Sequence, residues 1–164
     1  MIKKVLLFIV LAGIGFFAAC TKEQTEDDYS KQDADTIKAY IAKKGYTAQS
    51  LLSGLYYTIL TPGDNNHPKV TDQISVNYKG FRTDGFVFEA NTYGNPSSFY
   101  LQGRVKGWQE GLPLIGIGGK IRLYIPSALG YGSRGLYNNG GIPVVYPNTP
   151  IFFDIELIDI FPQN

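Results

Sequence analysis

The chain has 164 residues, which is enough for one folded domain and a short extension. Fifteen basic residues nearly balance fourteen acidic ones, and the net charge of +1 gives no reason to expect nucleic acid as a partner. The one cysteine, Cys20, cannot form an intramolecular disulfide, a thiolate metal cluster or a dithiol redox pair. The one histidine, His67, lies in a polar turn with no evident base partner or second ligand. We therefore expect no metal, no cofactor and no hydrolytic chemistry.

The first nineteen residues have the layout of a secretory signal. Lys3 and Lys4 precede an apolar run at residues 5–12, and two alanines stand directly before Cys20. Small residues before a cysteine resemble the cleavage site of bacterial lipoproteins, whose new N-terminal cysteine carries a diacylglyceryl group. We predict a signal peptide at residues 1–19, lipidation of Cys20 and a lipid-anchored position in the bacterial cell envelope, facing the periplasm or the surface. The alternative is an uncleaved anchor, since the apolar stretch is only slightly shorter than the roughly 17–25 residues that span a bilayer.

Two different segments follow the cysteine. Residues 20–32 are polar and acidic and predict a flexible tether, because they cannot bury enough apolar surface to fold. Residues 33–50 predict a short helical segment, with acids in its first turn, lysines in its last turn and a glycine as its stop. Its apolar residues Ile37, Tyr40 and Ile41 have helical spacing. We expect this apolar stripe to rest on the domain that follows.

After residue 54 the apolar period changes from 3.6 to 2. The segments with this alternation lie at residues 55–60, 74–78, 121–125 and 151–160. Each has one apolar and one polar face, which indicates an antiparallel sheet covered on one side. Residues 105–114, bounded by glycines, predict one short helix as that cover. The pattern predicts an α+β fold, in which a curved sheet wraps around a helix.

Several motifs resemble, in order, the signatures of FKBP-type peptidyl-prolyl cis-trans isomerases. They are VNYKG at 76–80, DGFVFE at 84–89, FYL at 99–101, VKGWQEG at 105–111, GGKIRLYIP at 118–126, LGYG at 129–132 and FFDIEL at 152–157. The resemblance covers residue 54 to about residue 160. It implies an FKBP-like antiparallel half-barrel of five or six strands around one short helix, and it places the isomerase domain at residues 51–164.

The resemblance also implies which side chains form the site. The implied catalytic residues are Tyr78, Phe88, Glu89, Trp108 and Tyr131, and the implied substrate-binding residues are Phe99, Val105, Val145 and Phe153. Trp108 is implied to form the floor beneath the prolyl ring. The Tyr131 hydroxyl and the Val105 N–H are implied to donate hydrogen bonds to peptide carbonyls. For Phe99 and Phe153, plain core packing is the alternative, since aromatic side chains dominate protein cores.

The implied activity is rotation about X-Pro bonds in exported, proline-containing polypeptides, by a monomer. Rotation about the peptide bond has a barrier of about 18–20 kcal/mol, which comes from amide resonance. A dry aromatic cavity disfavours the charge-separated planar form relative to the twisted one, so that no nucleophile is needed.

Two departures from the family pattern leave another function open. Glu89 stands where the family usually has Asp, and the loop at residues 133–146 is longer than usual. Both favour an FKBP-fold peptide-binding or chaperone module with weak or no turnover. A purely structural envelope lipoprotein is a third reading, for which a complete aromatic pocket is unnecessary.

Overall fold

A computed structural model of the protein describes residues 25–91 and 94–163. The predicted signal peptide at residues 1–19 and the predicted lipidation site, Cys20, lie outside the described residues. Within those two ranges, no helix is both long enough and apolar enough to cross a membrane.

The described chain forms two α-helices and nine strands. In chain order they are α1 (Glu26–Lys44), β1 (Gln49–Ser50), β2 (Tyr56–Thr61), β3 (Gln73–Phe81), β4 (Val87–Ala90), β5 (Ser97–Tyr100), α2 (Lys106–Gly111), β6 (Lys120–Ile125), β7 (Leu136–Tyr137), β8 (Pro143–Val145) and β9 (Ile151–Phe161). The four alternating segments of the sequence correspond to β2, β3, β6 and β9. The predicted helix at residues 105–114 corresponds to α2 and the 3-10 turn Leu112–Leu114 that follows it.

Seven strands form one antiparallel sheet in the order β1-β2-β6-β9-β3-β4, and β5 also pairs with β3. Strand β5 lies beside the first half of β3, where Ile74 is opposite Phe99, and β4 lies beside the second half, where Gly80 is opposite Glu89. The implied count of five or six strands was therefore too low. The two-residue strand β1 and the division of one edge into β4 and β5 account for the difference.

Helix α2 lies on the inner face of the sheet because two glycines let its backbone approach β6. A Cβ atom at Gly107 would lie 2.6 Å from Cγ2 of Ile125, and one at Gly111 would lie 2.5 Å from Cδ2 of Leu123. Residues four apart share one face of a helix, so both glycines face the sheet. This close approach holds the intervening Trp108 in the core, where its side chain has no exposed surface.

Helix α1 covers part of the outer face of the same sheet. Its Ile37 is fully buried, and the ring of Tyr40 lies 4.5 Å from the ring of Phe152 on β9, measured between centroids. The prediction that the apolar stripe rests on the following domain is confirmed. The expectation of a sheet covered on one side was wrong in this region, since Tyr124, on the outer face of β6, is also fully buried beneath α1.

Helix α1 begins at Glu26, so residues 26–32, predicted as part of a flexible tether, are helical. The polar composition of this segment would not let it fold alone, but here the segment extends a helix that is already packed. Extending a helix is easier than starting one, because the entropic cost of nucleation has been met. The helix is also fixed at Asp33, whose Oδ2 accepts a 2.6 Å hydrogen bond from the backbone N–H of Ser127.

Candidate active site

Six aromatic side chains from different elements meet on the inner side of the sheet. They are Tyr78 on β3, Phe88 on β4, Phe99 on β5, Trp108 on α2, Tyr131 after the 3-10 turn Ser127–Leu129, and Phe153 on β9. The Trp108 ring is at the centre of the group. Its centroid lies 5.3 Å from that of Tyr78, 5.2 Å from that of Phe153 and 6.3 Å from that of Phe99, with interplanar angles of 80°, 90° and 81°. These edge-to-face contacts are the arrangement that aromatic quadrupoles favour.

The Phe88 ring reaches this group because residue 80 has no side chain. A Cβ atom at Gly80 would lie 2.5 Å from Cε1 of Phe153 and 2.8 Å from Cζ of Phe88. In the space left by the glycine, the Phe88 ring packs 5.6 Å from Phe153 and 6.1 Å from Tyr131. The glycine of the VNYKG motif is therefore a steric requirement of the aromatic cluster.

The structure brings all nine residues named from the sequence into one region. Phe88, Phe99, Val105 and Tyr131 are half-buried and present part of their surface, whereas Trp108, Phe153 and Val145 are fully buried. The four half-buried side chains pack against the fully buried ones, so they form the part of the cluster that is exposed to solvent.

Polar groups complete one wall of the cluster. Oε1 of Glu89 accepts a 2.8 Å hydrogen bond from the Tyr78 hydroxyl and a 3.2 Å hydrogen bond from Nη2 of Arg104. The guanidinium carbon of Arg104 lies 4.3 Å from the centroid of the Phe99 ring and 5.1 Å from that of Trp108. Sequence reasoning did not identify Arg104. The only sequence signal was a basic residue directly before the tryptophan motif.

The tyrosine hydroxyls of the site keep their protons. Burial, the hydrogen bond to Glu89 and the Glu89 charge raise the pKa of Tyr78 well above its usual range. Burial and the nearby Glu89 charge raise the pKa of Tyr131 to about 12. Both groups are therefore hydrogen-bond donors at neutral pH, and no described residue accepts a hydrogen bond from the Tyr131 hydroxyl.

A second donor lies at the start of α2. The Val105 carbonyl accepts a 2.9 Å hydrogen bond from the Trp108 N–H, while no described residue accepts one from the Val105 N–H. That N–H is therefore an unpaired donor on a half-buried residue.

The longer loop at residues 133–146 forms a small hairpin of β7 and β8, with Leu136 opposite Val145. Arg82, which follows β3, fixes this hairpin by donating a 3.1 Å hydrogen bond from Nη1 to the Val144 carbonyl. Its guanidinium also lies 4.6 Å from the centroid of the Phe86 ring and 5.5 Å from that of Tyr146. The hairpin is thus joined to the loop before β4 at the edge of the aromatic cluster.

The model of one protein family matches residues 64–158, and this family is described as FKBP-type peptidyl-prolyl cis-trans isomerase. The chain belongs to this family. It is 37% identical over 146 residues to the FKBP-type peptidyl-prolyl cis-trans isomerase FkpA of Escherichia coli strain K12, covering 88% of this chain and 51% of FkpA. It is 31% identical over 131 residues to the peptidyl-prolyl cis-trans isomerase Mip of Coxiella burnetii, covering 78% of this chain and 55% of Mip. The chain therefore spans about half the length of these relatives.

Two crystal structures support the same assignment. A peptidyl-prolyl cis-trans isomerase from Pseudomonas syringae has a TM-score of 0.70 at 31% identity, covering 85% of this chain and 98% of that protein. FkpA from Escherichia coli has a TM-score of 0.67 at 38% identity, covering 84% of this chain and 65% of FkpA. The predicted α+β fold of the FKBP type is confirmed.

Proposed function

We propose that this protein catalyses cis-trans isomerisation of X-Pro bonds in exported polypeptides. The observation that carries the proposal is the cluster of rings around Trp108, which is partly exposed at Phe88, Phe99 and Tyr131 and at the adjoining Val105. Its family membership supports the same activity.

The aromatic cluster favours rotation of the prolyl amide bond because it surrounds the amide with apolar groups instead of water. The planar amide is stabilised by charge separation, and rotation removes that charge separation at a barrier of about 18–20 kcal/mol. Water stabilises the planar, polar form, whereas aromatic walls do not. A prolyl bond held against Phe88 and Phe99 therefore lies in surroundings that favour the twisted form over the planar one.

Two donors can hold the peptide while the bond rotates. The protonated hydroxyl of Tyr131 is suited to bind the carbonyl of one peptide unit, and the N–H of Val105 is suited to bind another. In this proposal Trp108, which has no exposed surface, lies beneath the site and supports the half-buried rings that the peptide contacts, and Tyr78 and Glu89 fix the wall beside it. Phe153 and Val145 support the site from the core.

The rest of the chain is proposed to place this domain at a membrane. The signal-like residues 1–19 and the small residues before Cys20 support a lipid anchor at Cys20 and a position in the bacterial cell envelope. The isomerase domain is proposed to span residues 51–164 and to act as a monomer on proline-containing chains.

Exchange spectroscopy on a short peptide with one X-Pro bond tests the activity. The 164-residue chain is expected to increase the cis-trans exchange rate, and Phe88→Ala is expected to reduce kcat/KM by about tenfold or more, because it removes one wall of the site. Leu60→Ala is a matched control, since Leu60 is 59% exposed on β2, away from the cluster. Peptide binding without faster exchange would contradict the enzyme proposal and leave the peptide-binding module. An unchanged rate in Phe88→Ala would contradict the proposed site.

A further inference from the structure

A surface depression of about 370 Å³ lies beside the aromatic cluster, and it is lined by Phe99 of that cluster and by Arg104, which packs on the Phe99 ring. Its described lining residues are Gln73, Ser98, Phe99, Tyr100, Gly103 and Arg104. Arg104 is the one charged residue among them, and the others contribute amide, hydroxyl and apolar groups. The depression is therefore complementary to a negatively charged group.

The guanidinium of Arg104 has hydrogen-bonding capacity to spare. Arginine carries five N–H donors, and one of them, on Nη2, bonds to Glu89. Nε is buried and has no partner among the described residues. The same Oε1 atom of Glu89 also accepts a hydrogen bond from the Tyr78 hydroxyl, so the two donors share this acceptor. Nη1 of Arg104 also bonds to no described residue, and because the side chain is partly exposed this atom can donate to an acceptor from a ligand.

The position of the guanidinium suits a carboxylate ligand. It lies 4.3 Å from the centroid of the Phe99 ring, which restricts its orientation and reduces its hydration, yet the side chain keeps 22% of its surface exposed. A planar guanidinium with free donors matches the geometry of a carboxylate, and the interaction is stronger where water is partly excluded. At 5.1 Å from the Trp108 centroid, it is also next to the proposed prolyl site.

We propose that Arg104 is a specificity-determining residue, which binds the carboxylate of an acidic residue flanking the substrate proline. The proposal rests on the isomerase function proposed above. The carboxylate lies in the depression while the prolyl ring lies against the aromatic cluster. Because this contact does not depend on rotation of the bond, it strengthens binding and lowers KM rather than raising kcat.

Four peptides with acetylated and amidated ends test the proposal, because blocked ends leave the side chain as the one carboxylate. Two carry Glu or Gln directly before the proline, and two carry Glu or Gln directly after it. Exchange spectroscopy with the 164-residue chain at low salt gives kcat/KM for each. At one of the two positions, kcat/KM for Glu is expected to exceed that for Gln by about three- to tenfold, the range of an ordinary hydrogen bond, because the partly exposed guanidinium weakens the charged interaction.

Two variants test whether Arg104 causes the preference for Glu over Gln. Arg104→Met removes the charge and is expected to bring the ratio of Glu to Gln to about one, whereas Arg104→Lys keeps the charge and is expected to retain part of the preference. Circular dichroism verifies that each variant folds. If Arg104→Met does not fold, the wild-type ratio at high salt gives the same information, because screening weakens a partly exposed ion pair.

The outcomes separate this inference from the proposed function. Acceleration of all four peptides without a preference for Glu at either position would overturn the role of Arg104 and leave the isomerase proposal intact. A preference that persists in Arg104→Met would also overturn it. No acceleration of any peptide would overturn the proposed function and, with it, this inference.

Discussion

The hydroxyl of Tyr78 donates a 2.8 Å hydrogen bond to Oε1 of Glu89. The Tyr78 side chain lies on β3 and the Glu89 side chain on β4, so the bond joins two neighbouring strands at the wall of the candidate site. The additional methylene of Glu89, compared with the Asp usual in the family, does not prevent the contact. It also leaves the carboxylate within 3.2 Å of Nη2 of Arg104.

Glu89→Ala is predicted to destabilise the fold and to lower activity. The substitution leaves the Tyr78 hydroxyl and the Arg104 guanidinium partly buried without their acceptor, at a cost of about 1–3 kcal/mol. Urea denaturation measures this loss, and exchange spectroscopy is expected to show a lower kcat/KM. Tyr78→Phe removes one donor only and is expected to cost about 0.5–1.5 kcal/mol. Wild-type stability in both variants would show that the hydrogen bond contributes nothing to the fold.

Gly80→Ala is predicted to disturb the aromatic cluster directly. The new methyl group would meet the rings of Phe153 and Phe88 at 2.5 and 2.8 Å, and such overpacking costs about 1–3 kcal/mol. Because one displaced ring belongs to the proposed peptide-binding surface, kcat/KM is expected to fall along with the free energy of unfolding. Gly140→Ala is the control, since the nearest atom to its Cβ lies at an ordinary contact distance of 3.4 Å. A Gly80→Ala variant as stable and active as Gly140→Ala would contradict the steric argument.

The strands that alternate most regularly were the most predictable part of the fold. Periodicity alone located β3, β6 and β9, because their inner faces carry apolar residues at every second position. It could not show that Tyr124 is buried, since the cover for that face comes from α1, far away in the sequence. The alternation of apolar residues predicts which face of a strand is apolar, but it does not predict which other element packs on a face.

In the candidate site, too, sequence patterns did not predict which side chains from distant parts of the chain are in contact. The positions of Phe88, Trp108 and Tyr131 followed from motifs that resemble those of a known family. Arg104 belongs to the site because Glu89 on β4 and Phe99 on β5 both come within reach of its side chain. The sequence spacing of Arg104, Glu89 and Phe99 does not predict that they are neighbours, because their proximity depends on β4 and β5 both pairing with β3.

The contribution of Tyr131 to the stability of the protein is predicted to depend on pH in the alkaline range. Its pKa is raised to about 12, so the folded protein keeps this proton above pH 10, where an unfolded chain begins to release it. The contribution of this group to stability is therefore fully present below pH 10 and is lost as the pH rises toward 12.

Tyrosinate absorbance measures this titration. Tyr131→Phe is expected to remove one late-titrating tyrosine and to lower kcat/KM by about fivefold, as expected for the loss of one hydrogen bond to the substrate. Tyr137→Phe serves as the control, since Tyr137 is 49% exposed on β7. An unchanged kcat/KM in Tyr131→Phe would contradict its role as a donor to the peptide.

The attachment of α1 depends on Asp33, which is 2% exposed and accepts the Ser127 N–H. Asp33→Ala leaves that N–H without an acceptor and is predicted to destabilise the fold by about 1–3 kcal/mol. Asp33→Asn keeps an acceptor oxygen and is expected to cost less. Amide hydrogen exchange should then be faster throughout α1 in Asp33→Ala than in Asp33→Asn, because the helix loses its fixed point on the domain.

The pH dependence of stability distinguishes the effect of the Asp33 charge from the effect of its hydrogen bond. Burial raises the pKa of Asp33, so the folded state binds this proton more tightly than the unfolded state. Its contribution to stability is therefore fully present below about pH 3.9, the unfolded value, and is lost as the pH rises through the folded value. In denaturation experiments, the free energy of unfolding of the wild type relative to that of Asp33→Asn should therefore fall as the pH rises across this range, and Asp35→Asn, at an exposed position on the same helix, should follow the wild type. If the stabilities of the wild type and Asp33→Asn change in parallel with pH, the carboxyl of Asp33 is not a group whose titration affects stability.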